Sequence, residues 1–291
     1  MESWFFLSIV TALFWGAAGV VSKLSTPKLG VARVALILAV VEGVLYAIAF
    51  LYWREDVPIS LADAVLAAAS CIVGVIGYLC FFESIMEGQV SIAGTIAAAY
   101  PALAVVGALI VLSESMTPAQ ALGVVAIIGG VVALSYEPNP GSAHAMSKRT
   151  LTFALLAFAL WGFWSLTSKM AIDEIGAGNI FGFYILSSVT APVFYYWYAR
   201  ARPLTNQGMA KPPVSAWMIG ALGLGINVVG AFAFSFALEG GSAALVVPIT
   251  SAYPIVTILL AVGFLREKMD KMHAVAAGIV VLGLVMIGLT V

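Results

Sequence analysis

Charge is what this sequence has least of. Its 291 residues carry 13 Lys and Arg and 14 Asp and Glu, together 9% of the chain, against 63% hydrophobic residues. A soluble domain is about half apolar and a quarter charged. Water cannot be the solvent for most of this surface, so lipid must be. The net charge of −1 leaves no basic footprint for nucleic acid. Histidine is nearly absent: His144 and His273 lie far apart and suggest no metal set. The two cysteines, Cys71 and Cys80, are nine positions apart in one apolar run. Nine positions turn a helix through about 900°, which places them on opposite faces and argues against a disulfide or metal clip. No G-x-x-x-x-G-K-[ST] loop occurs, so ATP is not the direct energy source, and no cofactor is implied.

Long apolar runs fill the rest. Ten stretches are apolar enough to span a bilayer, at about 3–24, 32–53, 62–82, 90–112, 119–136, 150–171, 179–198, 214–238, 242–264 and 272–290. The first follows Met-Glu-Ser-Trp, which has no basic region, and is read as a retained span rather than a signal peptide. Thr117-Pro118-Ala119-Gln120 has the cap, proline and Gln of a helix start. The segment 137–149 divides the chain near its middle.

The chain repeats itself. "WGAAGVVSK" (15–23) closes the first span and "WGFWSLTSK" (161–169) closes the sixth. "AAAYP" (97–101) in the fourth span matches "TSAYP" (250–254) in the ninth, and each Tyr is followed fourteen positions later by a Glu, Glu114 and Glu267. The two echoes keep their order, so the chain reads as a tandem repeat of a five-span unit. Because five is odd, the second unit enters the membrane from the opposite side. The fold class expected is an all-α integral membrane protein of ten transmembrane helices in two inverted-topology five-helix repeats, 1–138 and 150–291, joined by a linker at 139–149. That symmetry suits alternating access to a central site.

These paired motifs resemble the drug/metabolite transporter superfamily, in its ten-span EamA-type branch, over nearly the whole chain. The resemblance implies a central substrate cavity, with the fifth and tenth spans as scaffold. It implies a secondary transporter of small organic molecules such as amino acids, amines, drugs or other metabolites, in a multi-pass position in a bacterial-type inner membrane. The expected partners are a small-molecule solute, the lipid bilayer and protons as a candidate coupling ion. One chain holds both halves, which leaves function as a monomer open.

Glu42 is the residue of first interest. It is the eleventh of the 22 residues of its span, near the bilayer midplane, whereas every other charge lies near a span end or in a loop. A carboxylate there costs about 2.5–3.5 kcal/mol on insertion scales, so it should face the protein interior. It reads as a proton site or as the counter-charge of a cationic substrate; the alternative is a structural Glu bonded to a carbonyl or hydroxyl. Its counterpart in the second half falls in "SSVT" (187–190), which has no carboxylate. Trp15, Trp161 and Trp164 sit inside their spans, Tyr78 and Phe82 share a helix face, and Tyr100 and Tyr253 precede the paired prolines. Aromatic faces attract cations, which with Glu42 suggests an amine or quaternary ammonium substrate. Aromatics also fill membrane cores routinely, and Trp15 and Trp161 belong to the family pattern, so they need not report a substrate. Asn227, near the middle of the eighth span, either binds solute or bridges helices.

Lys23 and Lys169 lie two turns beyond their tryptophans. They either snorkel to the headgroups or form gates with carboxylates such as Glu83, Glu87, Asp173, Glu174 and Glu239. Pro101 and Pro254 remove backbone bonds at matching depth and are candidate hinges or fixed bends. The odd-numbered connections hold eleven Lys and Arg and the even-numbered ones two. The positive-inside rule therefore makes the odd face cytoplasmic and the termini external, whereas the resemblance implies internal termini. The remaining alternative classes are a channel or a non-transporting receptor or scaffold, and a membrane enzyme acting on lipid. The enzyme would need paired carboxylates, a His cluster or a nucleophile set at depth, and Glu42 stands alone in the sequence with neither His near it.

Overall fold

The computed structural model describes residues 2–87, 90–136, 148–201, 208–265 and 271–291. Among them the chain forms twelve helices and no strand. In the first half these are α1 (Ser3–Leu29), α2 (Val31–Trp53), α3 (Leu61–Glu87), α4 (Val90–Ala98), α5 (Tyr100–Val111) and α6 (Pro118–Leu134). In the second they are α7 (Lys148–Ile175), α8 (Ala177–Ala201), α9 (Val214–Gly240), α10 (Ala243–Ser251), α11 (Tyr253–Leu265) and α12 (Lys271–Gly288). Among the described residues nine segments are long and apolar enough to cross a membrane; α6, at 17 residues, is the short tenth.

Twelve helices make ten spans because the fourth and ninth are each broken. The break falls where Tyr-Pro predicts it. Ala99 has ψ −1° and Ala252 has ψ −1°, where a helix needs about −42°. The amides of Ala99 and Ala252 bond three residues back, to Ile96 O at 3.3 Å and Ile249 O at 3.1 Å. Pro101 and Pro254 have no N–H to restore the ladder in the next turn. Thr117 caps α6 as its sequence indicates: its side chain accepts from the Gln120 amide at 3.3 Å, and Gln120 accepts from the Thr117 amide at 2.9 Å.

The helices run further than hydropathy alone suggests. Helix α1 continues through Pro27 to Leu29, and α3 continues to Glu87. Hydropathy reports the part of a helix that lies in lipid, not where its backbone bonds stop. Helix α7 begins at Lys148, two residues before the expected start of the second repeat, and 139–147 of the linker lie outside the described residues.

The two halves match helix for helix. Gly30 (φ 76°) separates α1 from α2 and Gly176 (φ 82°) separates α7 from α8, a left-handed turn at the same place in each repeat. The halves also interlock. Helix α1 lies along α9 and α3 along α7, an equivalent pair of contacts, while α2 packs on its own mate α8 and α6 on its own mate α12. The α6–α12 pair is stapled by Ile127, Val280 and Ile287, all fully buried, and packs on α10, α4 and α11. This all-helical arrangement fits the two-repeat, inverted five-plus-five layout.

Candidate functional site

Between α1, α2, α3, α7, α8 and α9 lies a cavity of about 370 Å³. Its lining brings together Glu42, Trp15, Tyr78, Tyr100, Trp161, Trp164, Asn227 and Tyr253, residues singled out from seven different spans of the sequence. Phe82 falls on α3, but its side chain lies outside the described residues.

The aromatic lining obeys the repeat. Trp15 packs on Phe234 (ring centroids 5.2 Å, 43°) and edge-on to Tyr253 (6.3 Å). Trp161 packs on Phe81 (5.3 Å, 39°) and edge-on to Tyr100 (5.8 Å). Both tryptophans lie against a glycine of the facing helix. A Cβ on Gly230 would stand 2.5 Å from Trp15 Cδ1, and one on Gly77 would stand 2.8 Å from Trp161 Cδ1. Only glycine permits either contact. The indole of Trp15 also donates to the backbone carbonyl of Asn227 at 3.2 Å, a bond between α1 and α9 that leaves the Asn227 side chain out.

The repeat is broken at two places, and these shape the cavity. Trp164 stacks on Phe234 (5.3 Å, 28°), whereas the equivalent position in α1 is Ala18. An indole fills one end and a methyl leaves the other open. At the second place, Glu42 faces Ser188. The Ser188 hydroxyl lies 3.4 Å from Glu42 Oε2 and 2.9 Å from the Tyr184 carbonyl. One hydroxyl carries one proton, and the nearer carbonyl is its better acceptor. Glu42 is buried (9% exposed), and the bond it shares with Ser188 is a long one. Among the described lining residues it is the only one with a formal charge.

Sequence reading missed Tyr46 and Tyr184, which stack at 5.0 Å beside the carboxylate, and Phe81. Tyr46 is one helical turn from Glu42 and Tyr184 one turn from Ser188, so the period of 3.6 was the available signal.

The cavity reaches toward the odd-numbered connections. Its α1 lining runs from Trp15 to Ser22, its α2 lining starts at Val31, and its α3 lining runs to Phe81. The even end is packed. There Ser70, Thr167 and Ser168 join hydroxyls at 2.9–3.0 Å. Glu239 accepts from the Ala177 amide at 2.6 Å, and Asn179 exchanges bonds with the Glu55 backbone at 3.1 Å. Glu114, on the α5–α6 connection, caps α10 by accepting from Ser242 Oγ (2.6 Å), Ala243 N (2.9 Å) and Ala244 N (2.8 Å). Helix α7 packs on α9 and α10 on α5, contacts that the mates α1 and α3, and α4 and α11, do not make comparably among the described residues. The twofold is thus broken in packing, with one end closed.

Of the gate residues, Lys169 pairs with Asp173 at 2.5 Å within α7, so this ion pair ties no two helices together. Glu83 pairs instead with Arg149 at 2.9 Å, joining α3 to α7. The side chain of Lys23 lies outside the described residues. Pro101 and Pro254 sit at the two helix breaks described above.

A site of this kind has one carboxylate, several aromatic faces and a few hydroxyls, enough to hold and orient a small solute. Comparison with known proteins agrees with the architecture. The EamA-like transporter family matches residues 2–136 and 148–289. A crystal structure described only as that of a protein is similar over 99% of this chain and 97% of the other, with a TM-score of 0.79 and 18% identity. At that identity the likeness carries the fold alone. No curated protein matches. The family match takes in nearly the whole chain, once in each half: the chain belongs to the EamA-like transporter family, as a multi-pass membrane transporter of the drug/metabolite transporter superfamily.

Proposed function

We propose that this transporter carries a small organic cation, an amine or quaternary ammonium, by secondary transport through the central cavity. The observation that carries the reading is Glu42, the one formal charge among the described lining residues. Unlike a surface carboxylate, it is buried, and the bond it receives from Ser188 is long, at 3.4 Å. A cation supplies what it lacks, and the faces of Trp15, Tyr46, Tyr78, Tyr184 and Tyr253 add cation–π attraction. Trp161, Trp164, Tyr100, Phe82 and Asn227 complete the binding set. The repeats 1–138 and 150–291 are the units that exchange conformation about the 139–149 linker, with Pro101 and Pro254 as hinges. Eleven of thirteen basic residues favour a cytoplasmic odd face, so the cavity faces the cytoplasm of a bacterial-type inner membrane.

A second reading is favoured by the Ser188 contact, which gives Glu42 a protein partner. In it Glu42 is structural or carries a coupling proton, and the solute is an amino acid or other metabolite. Thermal shift of the purified protein separates the two. Choline, tetramethylammonium and phenethylamine should raise the melting temperature of the wild type but not of Glu42→Gln. A shift produced by tryptophan or phenylalanine and kept in Glu42→Gln supports the second reading and overturns the first.

A further inference from the structure

Glu42 and Ser188 stand at equivalent positions of the two repeats. They are 146 positions apart, the spacing that also separates Trp15 from Trp161 and Gly30 from Gly176. In an inverted repeat, equivalent residues are exchanged by the pseudo-twofold axis. Two equivalent residues can touch only where both lie beside that axis. The 3.4 Å contact therefore puts both side chains next to it, on α2 and α8, a pair of helices that are mates of each other. Tyr46 and Tyr184, one turn away on α2 and α8, stack at 5.0 Å to one side of the axis; they are not equivalents, since Tyr46 corresponds to Pro192.

We infer that Glu42 and Ser188 are two halves of a single axial binding position, and that the carboxylate this position needs can be supplied from either helix. The inference rests on Glu42 being the solute's counter-charge for its functional arm, and on the twofold alone for its structural arm. It also explains how one carboxylate serves a two-state carrier. When the halves exchange conformation, a group off the axis changes its relation to both gates. A group beside the axis keeps its place, because exchanging the halves maps the position onto itself. No second carboxylate is then required, and Ser188 holds the mirror place with a small hydroxyl. Two carboxylates there would repel in a water-poor site, so the pair has room for one acid at a time.

The test moves the charge across the axis. Four full-length proteins are purified: wild type, Glu42→Ser, Ser188→Glu and the double exchange E42S/S188E. The first readout is melting temperature without ligand. Ser188→Glu places two acids at one position and should melt below the wild type, and adding Glu42→Ser should recover most of the loss. A double exchange that melts no higher than Ser188→Glu overturns the shared position. The second readout is phenethylamine binding, followed by the fluorescence of Trp15, Trp161 and Trp164, which line the cavity. Glu42→Ser should weaken binding about tenfold or more, the scale of one charge-assisted contact, and the double exchange should return it to near wild type. A folded double exchange that binds as weakly as Glu42→Ser overturns the interchange while leaving Glu42 as counter-charge. If wild type and Glu42→Ser bind alike, the cation reading falls, and the melting series alone judges the axial position.

Discussion

Removing the Glu114 carboxylate should loosen the closed end of the molecule. Glu114 reaches from the α5–α6 connection to the first turn of α10, where it accepts three bonds of 2.6–2.9 Å. Two of them satisfy amides that no helical carbonyl can reach, and the charge lies at the positive end of the helix dipole. It also binds the Ser242 hydroxyl, and Ser242, the N-cap residue, makes no cap bond of its own. In Glu114→Ala that hydroxyl is freed and can turn to cap the helix, recovering part of the loss. Cap loss of about 0.5–2 kcal/mol and a dipole contribution of about 0.3–1 kcal/mol, less the recovery, leave about 1–2 kcal/mol. That is about a 5- to 30-fold shift between closed and open forms of this end. Hydrogen exchange resolved by peptide is the assay. The stretch Ala243–Ser251 is buried throughout, so its amides should be well protected in the wild type. Glu114→Ala should speed their exchange by about that factor, Glu114→Gln by less, and α6–α12 peptides should not change. Unchanged exchange at 243–251 in a folded Glu114→Ala protein would refute the reasoning.

Three further outcomes follow from local geometry. Gly230→Ala and Gly77→Ala should each destabilise by about 1–3 kcal/mol and shift tryptophan emission, because each Cβ would overlap an indole; variants that melt like the wild type contradict the close packing. Lys169→Gln should cost less than about 0.5 kcal/mol, because its Asp173 partner is 44% exposed and on the same helix; a larger loss would give Lys169 a part in holding helices together. Ser113, the one non-glycine with positive φ among the described residues (54°), should gain about 0.5–1 kcal/mol as Ser113→Gly; a drop in melting temperature would show that the serine side chain outweighs its backbone.

Much of this architecture is legible in the sequence. The repeated Trp-Gly and Tyr-Pro motifs mark equivalent points of two halves, and an odd span count inverts one of them. The paired Tyr-Pro motifs mark the breaks in the fourth and ninth spans, although a proline alone does not, since α1, α8 and α10 continue through Pro27, Pro192 and Pro248. Glu42 is conspicuous because lipid makes a mid-span carboxylate costly. What stays hidden is which aromatic faces which. Trp15 and Tyr253 meet because α1 lies along α9 and beside α11, and spacing along the chain does not encode that contact. Tyr46 and Tyr184 look like any other span aromatics until α2 and α8 are brought together. The broken symmetry at Trp164 and Ala18 is visible only after the repeat is aligned residue by residue. The packing of the even end is harder still, since Glu114 reads as an ordinary loop acid until its three donors arrive from the other half of the chain.

The central claim is that Glu42 is the counter-charge of a transported cation. Uptake of phenethylamine and choline into proteoliposomes, by wild type and Glu42→Gln, with and without a pH gradient, tests it most directly. The account predicts uptake by the wild type that Glu42→Gln loses while remaining folded. Uptake of the same cation by Glu42→Gln at the wild-type rate would contradict it.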